Sequence, residues 1–134
     1  MKNLLITGGS GYVGSRLIFK LLEETELKIV NYDISLFGDS HLPKNDRLIY
    51  CKNDITNSID FEKAIKKNNI DTVLHLACIS NDPTYELNSS LSKKINYDCF
   101  EDLVKISKKN NVKKFIYAST CSVYGISDSP NVIE

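Results

Sequence analysis

The chain has 134 residues, 42% hydrophobic and 25% charged, a balance expected of one globular domain and not of a disordered chain or a fibre. At this length a domain buries roughly two thirds of its unfolded surface. Lys plus Arg and Asp plus Glu both number 17, so no net field draws the chain to nucleic acid or an anionic membrane. Its apolar runs fall far short of a bilayer span, and its start turns to glycine too soon for a signal peptide, so a cytoplasmic protein is expected.

Taken in order, Leu4-Leu5-Ile6 has the apolar character of a strand buried on both faces of a parallel sheet. It runs into Gly8-x-x-Gly11-x-x-Gly14 and then into a helical pattern with Val13, Leu17, Ile18 and Leu21 on one side. Strand, glycine turn and helix in that order is the context in which this spacing implies dinucleotide binding. The first glycine permits the turn, the second lets backbone approach a pyrophosphate, and the third allows close packing of helix on strand. The helix N-terminus offers free N–H groups and partial positive charge to the phosphates. Asp33 follows Gly14 by nineteen residues, at the end of the next apolar run from Leu27. A carboxylate there accepts hydrogen bonds from a ribose 2′-hydroxyl and repels a 2′-phosphate, which favours NAD over NADP.

Residues 35–46 read as an irregular connection, 47–51 as a third strand and 58–67 as a helix with Phe61, Ala64 and Ile65 on one face. Residues 71–77 form a strongly apolar fourth strand. After the polar loop Ser80-Asn81-Asp82-Pro83 a long helix is expected, with Leu91, Ile95, Cys99, Leu103 and Ile106 on one face, and Phe115 to Ala118 form a fifth strand. Lys66-Lys67-Asn68-Asn69-Ile70 is echoed forty-two residues later by Lys108-Lys109-Asn110-Asn111-Val112. Lysines in a last helical turn complement its dipole and asparagine tolerates the left-handed conformation that ends helices, so both stretches read as helix ends rather than a nucleic-acid patch. The expected fold is therefore α/β, a Rossmann-type doubly wound parallel sheet of strand order 3-2-1-4-5 with its ligand across the carboxyl ends of the strands.

Cys51, Cys78, Cys99 and Cys121 lie more than twenty residues apart, with only His41 and His75 beside them, so no metal site is expected and the cysteines read as small buried hydrophobes. No Gly-Lys-Ser or Gly-Lys-Thr follows the glycines, which sets aside a phosphate-transferring P-loop.

These residues, in this order, resemble the extended short-chain dehydrogenase/reductase family, specifically its NAD-dependent sugar-nucleotide epimerases and dehydratases. The stretch from Thr7 to Gly14 is similar to the family's opening signature, and Asp33 to its ribose-binding acid. Asp54-Ile55 matches the pair that holds the adenine. His75-Leu76-Ala77-Cys78 is similar to a His-Leu-Ala-Ala segment running beside the nicotinamide ribose, and Asn96 to an asparagine on the following helix. Tyr117-Ala118-Ser119-Thr120-Cys121-Ser122-Val123-Tyr124-Gly125 is similar to the segment that delivers a catalytic Ser or Thr, which makes Thr120 the catalytic hydroxyl. The resemblance thus implies NAD held by Gly8, Gly11, Tyr12, Val13, Asp33, Asp54, Ile55, Leu76, Ala77, Cys78, Asn96 and Ser119. It also implies a nucleotide-linked sugar as substrate and a homodimer as the usual assembly. Taken singly, Asp54 reads as a helix cap, His75 as a structural histidine and Asn96 as a polar helix position.

The departures matter as much. The family moves its proton with a tyrosine acidified by a lysine four residues on. None of the seven tyrosines here has a lysine at that offset. Residues 1–134 therefore read as an incomplete NAD-binding domain, truncated before the last strands and the substrate domain and inactive alone. The lysine that galactose 4-epimerases carry after strand four is also missing from 78–83, which leaves other epimerases, dehydratases and 4-keto-reductases open. The alternative is a non-catalytic dinucleotide-binding, redox-sensing module that acts with a partner.

Overall fold

The computed structural model describes residues 2–36, 38–80 and 88–119. Its elements are β1 (Asn3–Thr7), α1 (Tyr12–Glu24), β2 (Lys28–Asp33), β3 (Leu48–Lys52), α2 (Ser58–Lys67), β4 (Thr72–His75), α3 (Ser89–Lys93), a π-helical turn (Lys94–Asp98), α4 (Phe100–Lys109) and β5 (Lys114–Tyr117). The strands form one parallel sheet ordered β3-β2-β1-β4-β5, as the alternation of strands and helices predicts.

Alternation along β1 divides the core. Leu5 joins Val30, Tyr32, Val73, Phe61, Ile65 and Leu103 on the face covered by α2 and α4. Leu4 and Ile6 turn the other way and meet Ile29, Ile18, Leu22 and Leu48 beneath α1. A strand buried on both faces needs apolar residues at consecutive positions, which is why β1 reads as an unbroken run. The buried stripe of α1 is Gly14, Ile18 and Leu22. Val13, expected on that stripe, is 62% exposed, because the helix meets the glycine turn through the residue beside it.

Both echoed lysine–asparagine stretches end helices in the same way. Asn69 and Asn111 have φ of 48° and 59°. Ile70 N–H donates to Ile65 O and Val112 N–H to Ser107 O, while Asn69 and Asn111 N–H donate to Lys66 O and Lys108 O. This is the paired bonding of a Schellman motif. Glu62 ties the two ends together by accepting from Lys66 (2.8 Å), Lys109 (3.1 Å) and Asn110 (3.3 Å), and these donors hold its carboxyl down to about 2.

Two expectations need correction. The long amphipathic helix is interrupted by the π turn, and Ser92 is buried where Leu91, 46% exposed, was expected. The pattern assumed one 3.6-residue period, and a π turn changes the number of residues per turn. Cys78 is exposed rather than buried, because it follows the last residue of β4 onto the open edge of the sheet; Cys99 is buried as expected, Cys51 is half-buried and Cys121 lies outside the described residues. No helix among the described residues is long and apolar enough to cross a membrane.

Candidate functional site

Parallel pairing brings the carboxyl ends of all five strands to one edge, where Thr7 pairs with both Tyr32 and His75, Asp33 with Lys52, and His75 with Tyr117. The glycine turn sits at the centre of that edge. Gly8 has φ of 73°, and its N–H donates to Tyr32 O at 3.0 Å. A Cβ there would lie 2.7 Å from the Ala77 amide nitrogen, so the turn can nest against the residues after β4 only as glycine. At Gly14 a Cβ would meet Gly8 O at 2.4 Å and Gly9 Cα at 2.6 Å. The third glycine thus lets α1 pack on the turn itself, rather than on the strand as the sequence pattern suggests.

Helix α1 starts without protection. Its N-cap is Gly11, no side chain caps it, and no acid lies in its first turn. The first N–H groups of a helix have no partner within it and favour an anion. Tyr12 is 87% exposed beside them. At the end of β2, Asp33 Oδ2 accepts from Ser10 N–H (3.0 Å) and Oδ1 from Ser35 N–H (2.8 Å), which holds the half-buried carboxylate beside the glycine turn that leads into α1. Each oxygen keeps a further lone pair for a ligand hydroxyl.

On the other flank, Thr7 Oγ1 accepts from the N–H groups of Leu76 and Ala77, both at 3.2 Å. Its own proton is left to donate to His75 Nδ1, 2.7 Å away, so the imidazole is neutral with its proton on Nε2. Burial pushes His75 down to about 4. Its ring stacks on Tyr117 and lies within about 6 Å of Phe100 and Phe115, so the structural reading of this histidine holds. Beyond it, Asn96 in the π turn grips Ile79 by both backbone groups, accepting from its N–H (2.8 Å) and donating to its carbonyl (2.9 Å).

With this geometry in place, comparison with known proteins decides the family. Residues 4–134 match the NAD dependent epimerase/dehydratase family. The chain belongs to that family. Among curated relatives it is 31% identical to the dTDP-4-dehydro-6-deoxyglucose reductase of Escherichia coli, over 95% of this chain and 42% of the relative. Among solved structures it is similar to the UDP-N-acetylglucosamine 4-epimerase of Methanobrevibacter ruminantium M1 in complex with UDP-N-acetylmuramic acid, with 29% identity, a TM-score of 0.85, and 99% of this chain and 42% of the other covered. It is also similar to the enzyme WbmH of Bordetella bronchiseptica in complex with NAD+, with 30% identity, a TM-score of 0.79, and 95% and 42% covered. The chain thus spans less than half the length of these relatives.

NAD is the cofactor of the epimerase/dehydratase family, and the residues present fit it: an uncapped helix start for the pyrophosphate and an oriented carboxylate for a ribose. The expected contact residues sit differently in that frame. Gly8, Gly11, Tyr12, Val13 and Asp33 gather at the opening. Asp54 is exposed and accepts from Thr56 N–H (2.8 Å), so it closes a turn while Asn57 caps α2. The Ile55 side chain is 7% exposed in the core, leaving its backbone for a ligand. Leu76, Ala77 and Cys78 line the exit of β4, Asn96 is committed to Ile79, and Ser119 is exposed just after β5. Thr120 lies outside the described residues. Sequence reasoning missed Ser10, Ser35 and the Thr7–His75 pair: Ser10 and Thr7 bond across 23 and 68 residues of chain, which no local pattern announces, whereas the bond from Ser35 N–H to Asp33 spans two residues and the Asp-x-Ser turn was its available signal.

Proposed function

We propose that these residues are the NAD-binding part of a sugar-nucleotide oxidoreductase, acting by hydride abstraction from and return to a nucleotide-linked sugar, with the substrate-binding portion supplied from outside them. The observation that carries this reading is the convergence, at one edge of the sheet, of the uncapped start of α1 with the Asp33 carboxylate. Two of the three relatives named above, the reductase of Escherichia coli and the epimerase of Methanobrevibacter ruminantium, carry nucleotide-linked sugars in their names, which supports the substrate class. A cytoplasmic homodimer belongs to the same reading.

In this reading the backbone at Gly8, Gly11, Tyr12 and Val13 binds pyrophosphate, Asp33 takes ribose hydroxyls, and Asp54 with Ile55 borders the adenine. Leu76, Ala77 and Cys78 border the nicotinamide, and Asn96 holds their exit loop in place through Ile79. When bound, NAD supplies hydride acceptance and return. Thr120 donates a hydrogen bond to the reacting sugar oxygen, with Ser119 beside it. The proton leaving that oxygen needs an acceptor, which these residues do not offer in Tyr-x-x-x-Lys form.

The test is a fluorescence titration of the chain with NADH and NADPH. Saturable NADH binding, with NADPH weaker by about tenfold or more through repulsion of its 2′-phosphate, is the expected result. Binding of neither dinucleotide, or equal binding of both, overturns the reading.

A further inference from the structure

Asp33 does not stand alone at the end of β2. Six residues later, in the connection to β3, half-buried Asp39 accepts through Oδ1 from the Ser10 hydroxyl and from the Ser35 hydroxyl (2.9 Å). The same two serines give their N–H groups to Asp33 (3.0 and 2.8 Å). Each serine thus holds both carboxylates, one through its amide and one through its hydroxyl. Both serines are buried, at 8% exposure. Asn31 Nδ2 donates to Ser10 Oγ at 2.9 Å, so the only proton that hydroxyl has is directed to Asp39. His41 Nε2–H donates to the Ser10 carbonyl at 3.0 Å and holds the connection onto the glycine turn. Ser35 and Gly38 adopt left-handed φ of 54° and 75°, the local distortion that turns Asp39 back toward the turn. Among the described residues Asp39 Oδ2 has no hydrogen-bond partner, so that oxygen keeps its lone pairs and its share of the charge beside the glycine turn that Ser10 belongs to.

We propose that Asp39 is a second selectivity residue of the dinucleotide site: it positions Asp33 through Ser10 and Ser35 and adds a further negative charge against a ribose 2′-phosphate. This rests on the cofactor reading above and deepens it. A lone carboxylate after strand two is the ordinary device for excluding NADP. Here two carboxylates share one pair of donors, so neutralising Asp33 alone leaves the second charge in place. Selectivity for NAD should therefore survive a change at Asp33 in part, and give way only when Asp39 is neutralised too.

The experiment measures dissociation constants for NADH and NADPH with the wild-type chain and with Asp39→Asn, Asp39→Ala, Asp33→Asn and the double asparagine variant, at low and high salt. Asp39→Asn keeps an oxygen for both serine hydroxyls and removes only the charge. It is expected to move the NADPH-to-NADH ratio toward NADPH by about three- to tenfold, with a smaller shift at high salt where the repulsion is screened. Asp39→Ala also frees the serines and is expected to weaken NADH binding, with partial rescue in Asp39→Asn. The double variant should relax selectivity further than Asp33→Asn. If wild type binds NADH selectively while both Asp39 variants keep its ratio and salt dependence, this proposal is overturned and the cofactor reading stands. If wild type binds neither dinucleotide, the cofactor reading falls and takes this one with it.

Discussion

Burial at the carboxyl end of β4 pushes the His75 imidazole down to about 4, against 6.5 when it is free. Thr7 reinforces this, since its hydroxyl proton already points at Nδ1 and a protonated ring would set donor against donor. The linkage has a definite sign. Above pH 6.5 the ring is neutral in both folded and unfolded chains and adds no pH dependence. As pH falls from 6.5 toward 4 the unfolded chain binds a proton that the folded chain refuses, so stability drops, by up to about 3 kcal/mol at the lower limit. Urea unfolding at pH 7, 5.5 and 4.5 should show a steeper loss for wild type than for His75→Gln, the carboxylates contributing alike to both. Parallel pH profiles would contradict the tautomer and burial described here. Such a residue was legible as buried from its apolar strand. The Thr7 partner sixty-eight residues away was not.

The helix ends were the most legible elements. Lys-Lys-Asn-Asn followed by an apolar residue encodes dipole complement, cap and left-handed residue within five positions, and all of its interactions are local. Asn111, at φ of 59°, therefore predicts its own substitutions. Asn111→Gly should leave stability within about 0.5 kcal/mol, whereas Asn111→Val should cost about 1–2 kcal/mol, because a β-branched residue clashes in that conformation. Thermal or urea unfolding decides; equal stability of the two variants would refute the backbone argument. The α3–α4 stretch was misread for the opposite reason. Its π turn is closed by a bond from Cys99 N–H to Lys94 O at 3.2 Å, and it presents Asn96 to Ile79, so the interruption serves a contact far away in sequence.

Across the whole molecule, parallel pairing makes one surface from segments widely separated in sequence. Amide hydrogen exchange with and without NADH should therefore slow together at 8–15, at 33–35 and at 76–79, as one footprint at the carboxyl ends of the strands. Lys2, Lys28 and Asp71, which meet at the amino ends, should be unaffected; there Lys2 N–H donates to Asp71 at 2.7 Å and Lys28 N–H to Lys2 O at 2.9 Å. Protection concentrated at that opposite edge would place the ligand elsewhere and refute the site.

What the sequence determined by itself was the five strands, their parallel order, the helices α1 and α2 and the residues of the glycine turn, since periodicity, turn chemistry and spacing act over a few positions. Spacing also reached Asp33, and the resemblance to a family extended that reading to Asp54 and Asn96. Tertiary structure alone decided that Gly14 meets the turn rather than the strand, that Val13 faces outward, that His75 is neutral, and that Ser10 and Ser35 bind Asp33 and Asp39 as one unit. Each depends on which segments the sheet brings within about 3 Å, the reach of a hydrogen bond, and that distance is set by strand pairing and not by any stretch of chain.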